Sequence, residues 1–101
     1  MSVITRRPVT RLGDICSGHA CFPPRASISG SPNVFVNALP AHRQSDAWGP
    51  HCCPNRGCHT SVLLSGSSTD LAIGLPLGRI GDPVACGSIS AQGSRNVFAG
   101  G

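Results

Sequence analysis

Residues 29–46, SGSPNVFVNALPAHRQSD, recur without a gap as SGSSTDLAIGLPLGRIGD at 65–82, an offset of 36. Ser29/Ser65, Gly30/Gly66, Ser31/Ser67, Leu39/Leu75, Pro40/Pro76, Arg43/Arg79 and Asp46/Asp82 are identical pairs. A third copy is divided between the chain ends. QGSRNVFAGG at 92–101 repeats the first half and RPVTRLGD at 7–14 the second, so Pro-x-x-Arg-x-x-Asp occurs at Pro8–Asp14, Pro40–Asp46 and Pro76–Asp82. A repeat whose last copy is completed by the N-terminus implies a closed ring with adjacent termini, not an open solenoid.

Each copy reads as a Gly-Ser turn, a short strand, a turn carrying Pro, a second strand and a closing turn at Asp. Composition excludes the helical alternative. Gly and Pro occupy 22 of 101 positions and there is no Glu or Lys, so the usual residues of exposed helix faces are missing. The expected class is all-β, with short strands in three pseudo-threefold repeats. Arg and Asp three apart are expected to pair across copies near the surface, where such pairs contribute little.

Three loops of unequal length separate the copies, and their metal-binding side chains fall in register. His19 lies five residues after Asp14, His51 five after Asp46 and Cys86 four after Asp82, while His59 and Cys86 each precede a Gly-Ser turn by seven. A ring would gather His19, His51, His59 and Cys86 at one end. Three imidazoles and a thiolate complete a tetrahedral zinc shell, leaving no position for a reacting water, so one structural Zn2+ is expected. Such closed sites contribute on the order of 10 kcal/mol to folding, which matters for a chain that buries only about 60–70% of its unfolded surface.

The stretch HCCPNRGCHT at 51–60 keeps an alternative open, since Cys52, Cys53 or Cys58 could displace a histidine as ligand. Cys16/Cys21 and Cys53/Cys58 share a C-x4-C spacing that would allow two local disulfides after export. Free buried thiols are the expected state in a reducing cytosol. The N-terminus, MSVITRRPVT, lacks the apolar core of a secretory signal, and no run reaches the ~18 apolar residues of a spanning helix. Arg6-Arg7 reads as a solvated terminus.

The net charge of +4 is spread along the chain, and Phe22, Phe35, Trp48 and Phe98 are the only aromatics beside the histidines, so no basic stripe with stacking rings suits nucleic acid. A zinc hydrolase would need an open coordination position and a nearby carboxylate base; there is no Glu, and the Asp residues sit in repeat turns. A disulfide-stapled secreted module is a further class.

The segments RLGD, SGSPNVFVNALPAHR, GLPLGRIGD and GDPVACGS with GSRNVFAGG resemble a PAAR-repeat protein over about Val9 to Gly101. That resemblance implies a small cone that caps the trimeric VgrG spike of a bacterial type VI secretion system, or a related phage spike. It also implies a zinc held near the point by three histidines and a cysteine, in agreement with the set reached from repeat register. A partner spike would bind the base, one chain per trimer, with effector proteins as possible cargo, transient contact with a target membrane, and no catalysis. The chain would be a bare tip without a toxin domain, made in the bacterial cytoplasm and exported on the spike. The motif itself stands here as Pro40-Ala41-His42-Arg43, with His42 at an alanine position, expected exposed on a strand and not a ligand. The apolar turns at Leu39 and Leu75 are the expected base contacts.

Overall fold

The computed structural model describes residues 6–101; the reading of the first five residues of the chain lies outside these. Among the described residues there is no helix, and short antiparallel strands form four two-stranded sheets. β2 (Phe35–Val36) pairs with β3 (Leu39–Pro40), β6 (Leu71–Ala72) with β7 (Leu75–Pro76), and β1 (Arg7–Pro8) with β8 (Phe98–Ala99). Each hairpin sets an aromatic or leucine against a proline: Phe35 on Pro40, Leu71 on Pro76, Phe98 on Pro8. The two ends of the chain therefore build the third hairpin together, as the divided repeat requires. The remaining sheet joins β4 (Ala47–Cys53) to β5 (Gly57–Val62).

The Gly-Ser pairs explain why these strands are short. Ser31, Ser67 and Ser94 are buried, and each hydroxyl accepts the backbone N–H three residues on, at 2.9, 2.9 and 3.0 Å from Val34, Asp70 and Val97. These side-chain turns reverse the chain before a longer ladder can form. The preceding glycines lie hard against backbone: a Cβ at Gly30 would sit 2.9 Å from the Ala41 carbonyl oxygen and one at Gly93 2.9 Å from that of Pro8, with Gly66 closer still to Leu77.

Inside the hairpins, three remote segments bond in a cycle. The Thr10 N–H donates to Gly78 O at 2.9 Å, Gly78 N–H to His42 O at 2.8 Å, and His42 N–H to Thr10 O at 2.9 Å. A second set joins the same three segments in the opposite sense, from Leu12 to Pro40, Gln44 to Pro76 and Ile80 to Pro8. The side chains at the three cycle positions differ, and each meets a partner that suits it. Thr10 Oγ1 lies 2.5 Å from Ser90 Oγ, His42 Nδ1 lies 2.6 Å from Ser27 Oγ, and Leu63 fills the space over Gly78, where a Cβ would come within 2.7 Å of its Cδ2.

His42 is thus an interior residue, contrary to the exposed position expected from its strand. It is 0% exposed, and its ring packs on Trp48 with centroids 3.9 Å apart. Position 42 belongs to the cycle, so its side chain points inward. Because Asp46 O can only accept, His42 Nε2–H donates to it at 3.0 Å, leaving Nδ1 to accept from Ser27. Burial pushes its pKa down to about 4, outweighing the favourable charge of Asp46.

The Arg–Asp pairs also differ from expectation: they close turns within a copy instead of bridging copies. Arg11–Asp14, Arg43–Asp46 and Arg79–Asp82 contact at 3.0, 2.9 and 3.0 Å, and in all three the arginine's own backbone N–H donates to the same carboxylate at 2.8 Å. Three-residue spacing with both donors on one carboxylate is a local geometry, and it draws the pair inward. For Asp46, burial raises the carboxyl pKa, but the bonds and charge of Arg43 win and hold it below the usual range. Arg7, expected in solvent, donates to Asp82 Oδ1 at 2.8 Å, so Asp82 serves two guanidinium groups.

The apolar core is small and divided. Val9, Val36, Ala41 and Ala99 form one cluster, and Cys16, Trp48, Leu63 and Val84 a second. Among the described residues, no buried side-chain nitrogen or oxygen lacks a hydrogen-bond partner.

Arg79 and Asp82 side chains are only 3% and 4% exposed. Arg79→Met should therefore destabilise the fold by about 2–3 kcal/mol in chemical denaturation, because Asp82 loses its interior partner and keeps only Arg7 and a backbone N–H. Arg11→Met, at the more exposed pair, should cost about 1 kcal/mol. His42 yields a pH prediction. The unfolded chain protonates its imidazole near pH 6.5 and the folded chain only at about 4, so His42 stabilises fully above 6.5 and its contribution falls as pH drops toward 4. The loss should reach about 3 kcal/mol, read as the extra acid sensitivity of wild type over His42→Asn.

Candidate metal centre

The β4–β5 hairpin sets His51 directly opposite His59 and Cys52 opposite Cys58. Opposed residues of an antiparallel pair project from one face, so the imidazoles share one face and the two cysteines share the other. Asn55 and Gly57, with φ of 67° and 83°, turn the chain between the strands. Trp48 pairs with Ser61 and His51 with His59, so β4 spends one more residue than β5 over that interval. This bulge at Gly49-Pro50 changes the phase. Trp48 and His51, which strict alternation would put on opposite faces, are both buried. Pro50 is tolerated because a bulge releases its ladder position.

His19 arrives from the first loop on a tight reversal in which His19 and Phe22 exchange both backbone bonds, at 3.0 and 2.8 Å. Phe22 stacks on His19 with ring centroids 4.8 Å apart and lies 4.4 Å from the ring of His59, covering the imidazoles on one side. Cys86 comes from a turn closed by Gly87 N–H to Val84 O at 3.0 Å.

The four side chains that repeat register selected converge. His59 Nε2 lies 2.7 Å from His51 Nε2 and 3.0 Å from His19 Nε2, Cys86 Sγ lies 4.0 Å from His51 Nε2, and all four donor atoms fall within 4.8 Å of one another. Donors of a tetrahedral ion bound at ~2.0–2.3 Å would stand about 3.3–3.6 Å apart, so the cluster is of the right size.

Proton bookkeeping shows that hydrogen bonds alone do not satisfy it. Pro23 O can only accept, so His51 Nδ1–H donates to it at 2.9 Å and His51 Nε2 presents a bare lone pair to the cluster. A proton on His59 Nε2 could serve one of its two neighbours but not both. Ionising His59 is disfavoured, since desolvation and then the nearby His51 and His19 lower its pKa. A cation at the centre accepts every lone pair at once. The donor set fits a metal ion, and with four protein donors the coordination shell is closed.

The cysteines depart from both sequence expectations. Cys21 pairs with Cys53 and Cys52 with Cys58, with Cα atoms 5.4 and 4.0 Å apart, while Cys16 and Cys86 are free. Neither C-x4-C pair forms. Strand register decides the second pairing and loop packing the first, and neither is visible as spacing. None of Cys52, Cys53 and Cys58 takes the place of a histidine. Sequence reasoning also missed Pro23 and Phe22. A backbone carbonyl carries no residue signature, although Phe22 was one of few aromatics.

Short strands and turns, with a three-imidazole, one-thiolate cluster gathered from three loops, define a small all-β protein whose donor cluster could hold a metal ion. A family model for the PAAR motif matches residues 18–91, which spans all four donors, and the chain belongs to that family. No curated protein matches the chain.

His59→Ala and Cys86→Ser should each lower bound metal from about one ion per chain to near zero after gel filtration, whereas His42→Asn should leave it unchanged. Elemental analysis of the purified variants checks this.

Proposed function

We propose that this chain is a zinc-stabilised tip that caps a trimeric VgrG-like spike of a type VI secretion or related contractile injection system. The observation that carries the reading is the threefold recurrence of one exposed apolar feature. Phe35, Leu71 and Phe98 occupy the same register position in the three small hairpins, and all three are exposed. Ile73 at the β6–β7 turn is 59% exposed with φ of 50°, a left-handed conformation that costs a β-branched residue energy. An apolar side chain held outward at such a cost suits a surface that is covered in use.

One chain offering three like contacts suits the end of a threefold spike, at one chain per trimer. The chain leaves each hairpin through the cycle of backbone bonds before reaching the loops that carry the cluster, so base and metal end are separated by the best-bonded part of the molecule. Three imidazoles and a thiolate favour Zn2+ among the common ions. Tying three glycine-containing loops to one ion would keep the narrow end of a cone rigid where it meets a membrane. Such a tip would be made in the bacterial cytoplasm, leave on the spike, and carry effectors by non-covalent contact. Nothing in this role calls for catalysis or for nucleic acid.

Mixing the purified chain with a trimeric spike protein should give a complex of one chain per trimer by size exclusion with light scattering. Phe35→Asp with Leu71→Asp should weaken it about 100-fold or more while leaving zinc content intact. A wild-type chain that leaves such spikes uncapped would overturn the proposal.

A further inference from the structure

The metal reading uses one of the six cysteines, yet four of the other five surround the cluster. Cys21 stands two residues past His19 and Cys53 two past His51, while Cys52 and Cys58 adjoin His51 and His59. The Cys21–Cys53 crosslink ties the first loop to β4, and Cys52–Cys58 ties β4 to β5. Every segment that carries a histidine of the cluster is thereby joined covalently to the next.

We propose that these two crosslinks are a redox lock on the metal centre: closed, they hold the three imidazoles in place without the ion, and opened, they leave that arrangement dependent on the ion alone. The two thiols left out already have other roles. Cys16 is buried in the second core cluster, its sulfur accepting the Arg25 N–H at 3.4 Å, and Cys86 belongs to the four-donor set. Cys21, Cys52 and Cys58 are exposed, so each crosslink has a sulfur open to a small reagent; Cys53 is buried and reacts second.

The chemistry is thiol–disulfide exchange with an external small-molecule disulfide as oxidant. A thiolate of the chain attacks one sulfur of that disulfide, releasing one thiol, and the partner cysteine then displaces the second. Each crosslink gives up two electrons and two protons, which the oxidant carries away as two thiols. Closure also removes four sulfurs that would compete with imidazole for a soft ion. A protein assembled in a reducing compartment would depend on its metal, and after leaving it the lock would close. The inference rests on the metal reading of the cluster, and its test separates the two.

The full wild-type chain is prepared under a reducing phosphine and, separately, after exposure to oxidised glutathione, and both forms are stripped with EDTA. Peptide mapping of the oxidised form should find Cys21–Cys53 and Cys52–Cys58, with Cys16 and Cys86 alkylated. Stripped and oxidised, the chain should keep slow amide exchange in β4 and β5, with protection about 100-fold above that of the stripped reduced form. Zinc should rebind the oxidised form about tenfold more tightly, because less ordering remains to be done. Other pairings, or equal protection in the two stripped forms, would overturn the lock. The Cys52→Ser/Cys58→Ser variant, changed only at exposed positions, should keep the first loop protected and lose protection in the hairpin. A chain that maps and protects as expected but binds zinc in neither form would support the lock and remove the metal reading alone.

Discussion

Everything else in this molecule hangs on a cycle of three backbone hydrogen bonds joining Thr10, His42 and Gly78. Each of these residues gives its N–H to one partner and its carbonyl to the other, so no segment can leave without stranding two buried groups, an expensive outcome in a protein interior. The cycle explains why the chain ends must meet. Thr10 reaches its place only because β1 pairs with β8, bringing the first described residues beside the last.

Polar satisfaction, more than apolar area, organises this interior. The two apolar clusters are small, and between them lie serines, threonine, histidine and three Arg–Asp turns, every buried polar atom partnered among the described residues. Such an interior is specific but thin. It accounts for the clamps at the far end of the loops, where no hairpin of the ring reaches. The crosslinks span 32 and 6 residues, and loop-closure entropy assigns them about 4 and 2 kcal/mol. A metal ion held by the four donors would contribute more, on the order of 10 kcal/mol for a closed zinc site.

The proposed function follows from this division of labour. The repeated part presents like contacts three times, and the unequal loops present one unlike set of donors once. A tip of the kind proposed, meeting a threefold partner on one side and ending in a point on the other, would need both. Membership of the PAAR motif family agrees with that division.

Much of this was legible in sequence because repeat register carries spatial information. Counting from Asp14, Asp46, Asp82 and the Gly-Ser turns selected His19, His51, His59 and Cys86, and the structure brings those four together. Spacing fails where a face or a register decides. His42 looked like an exposed strand residue because the cycle that turns it inward is made by Thr10 and Gly78, remote in sequence. The Arg–Asp pairs looked like surface contacts because burial is not a property of three-residue spacing. Cysteine pairing depended on how the first loop packs beside Cys53 and on the opposition of Cys52 to Cys58, a consequence of strand register. The sequence by itself determined the turns, the absence of helices among the described residues, the pairing of the chain's two ends and which four side chains converge, since these follow from local backbone preference and from counting. Only the tertiary structure decided which side chains face inward, which sulfurs meet, and that His51 turns its Nε2 lone pair to the cluster, because those depend on contacts between segments that no local preference encodes.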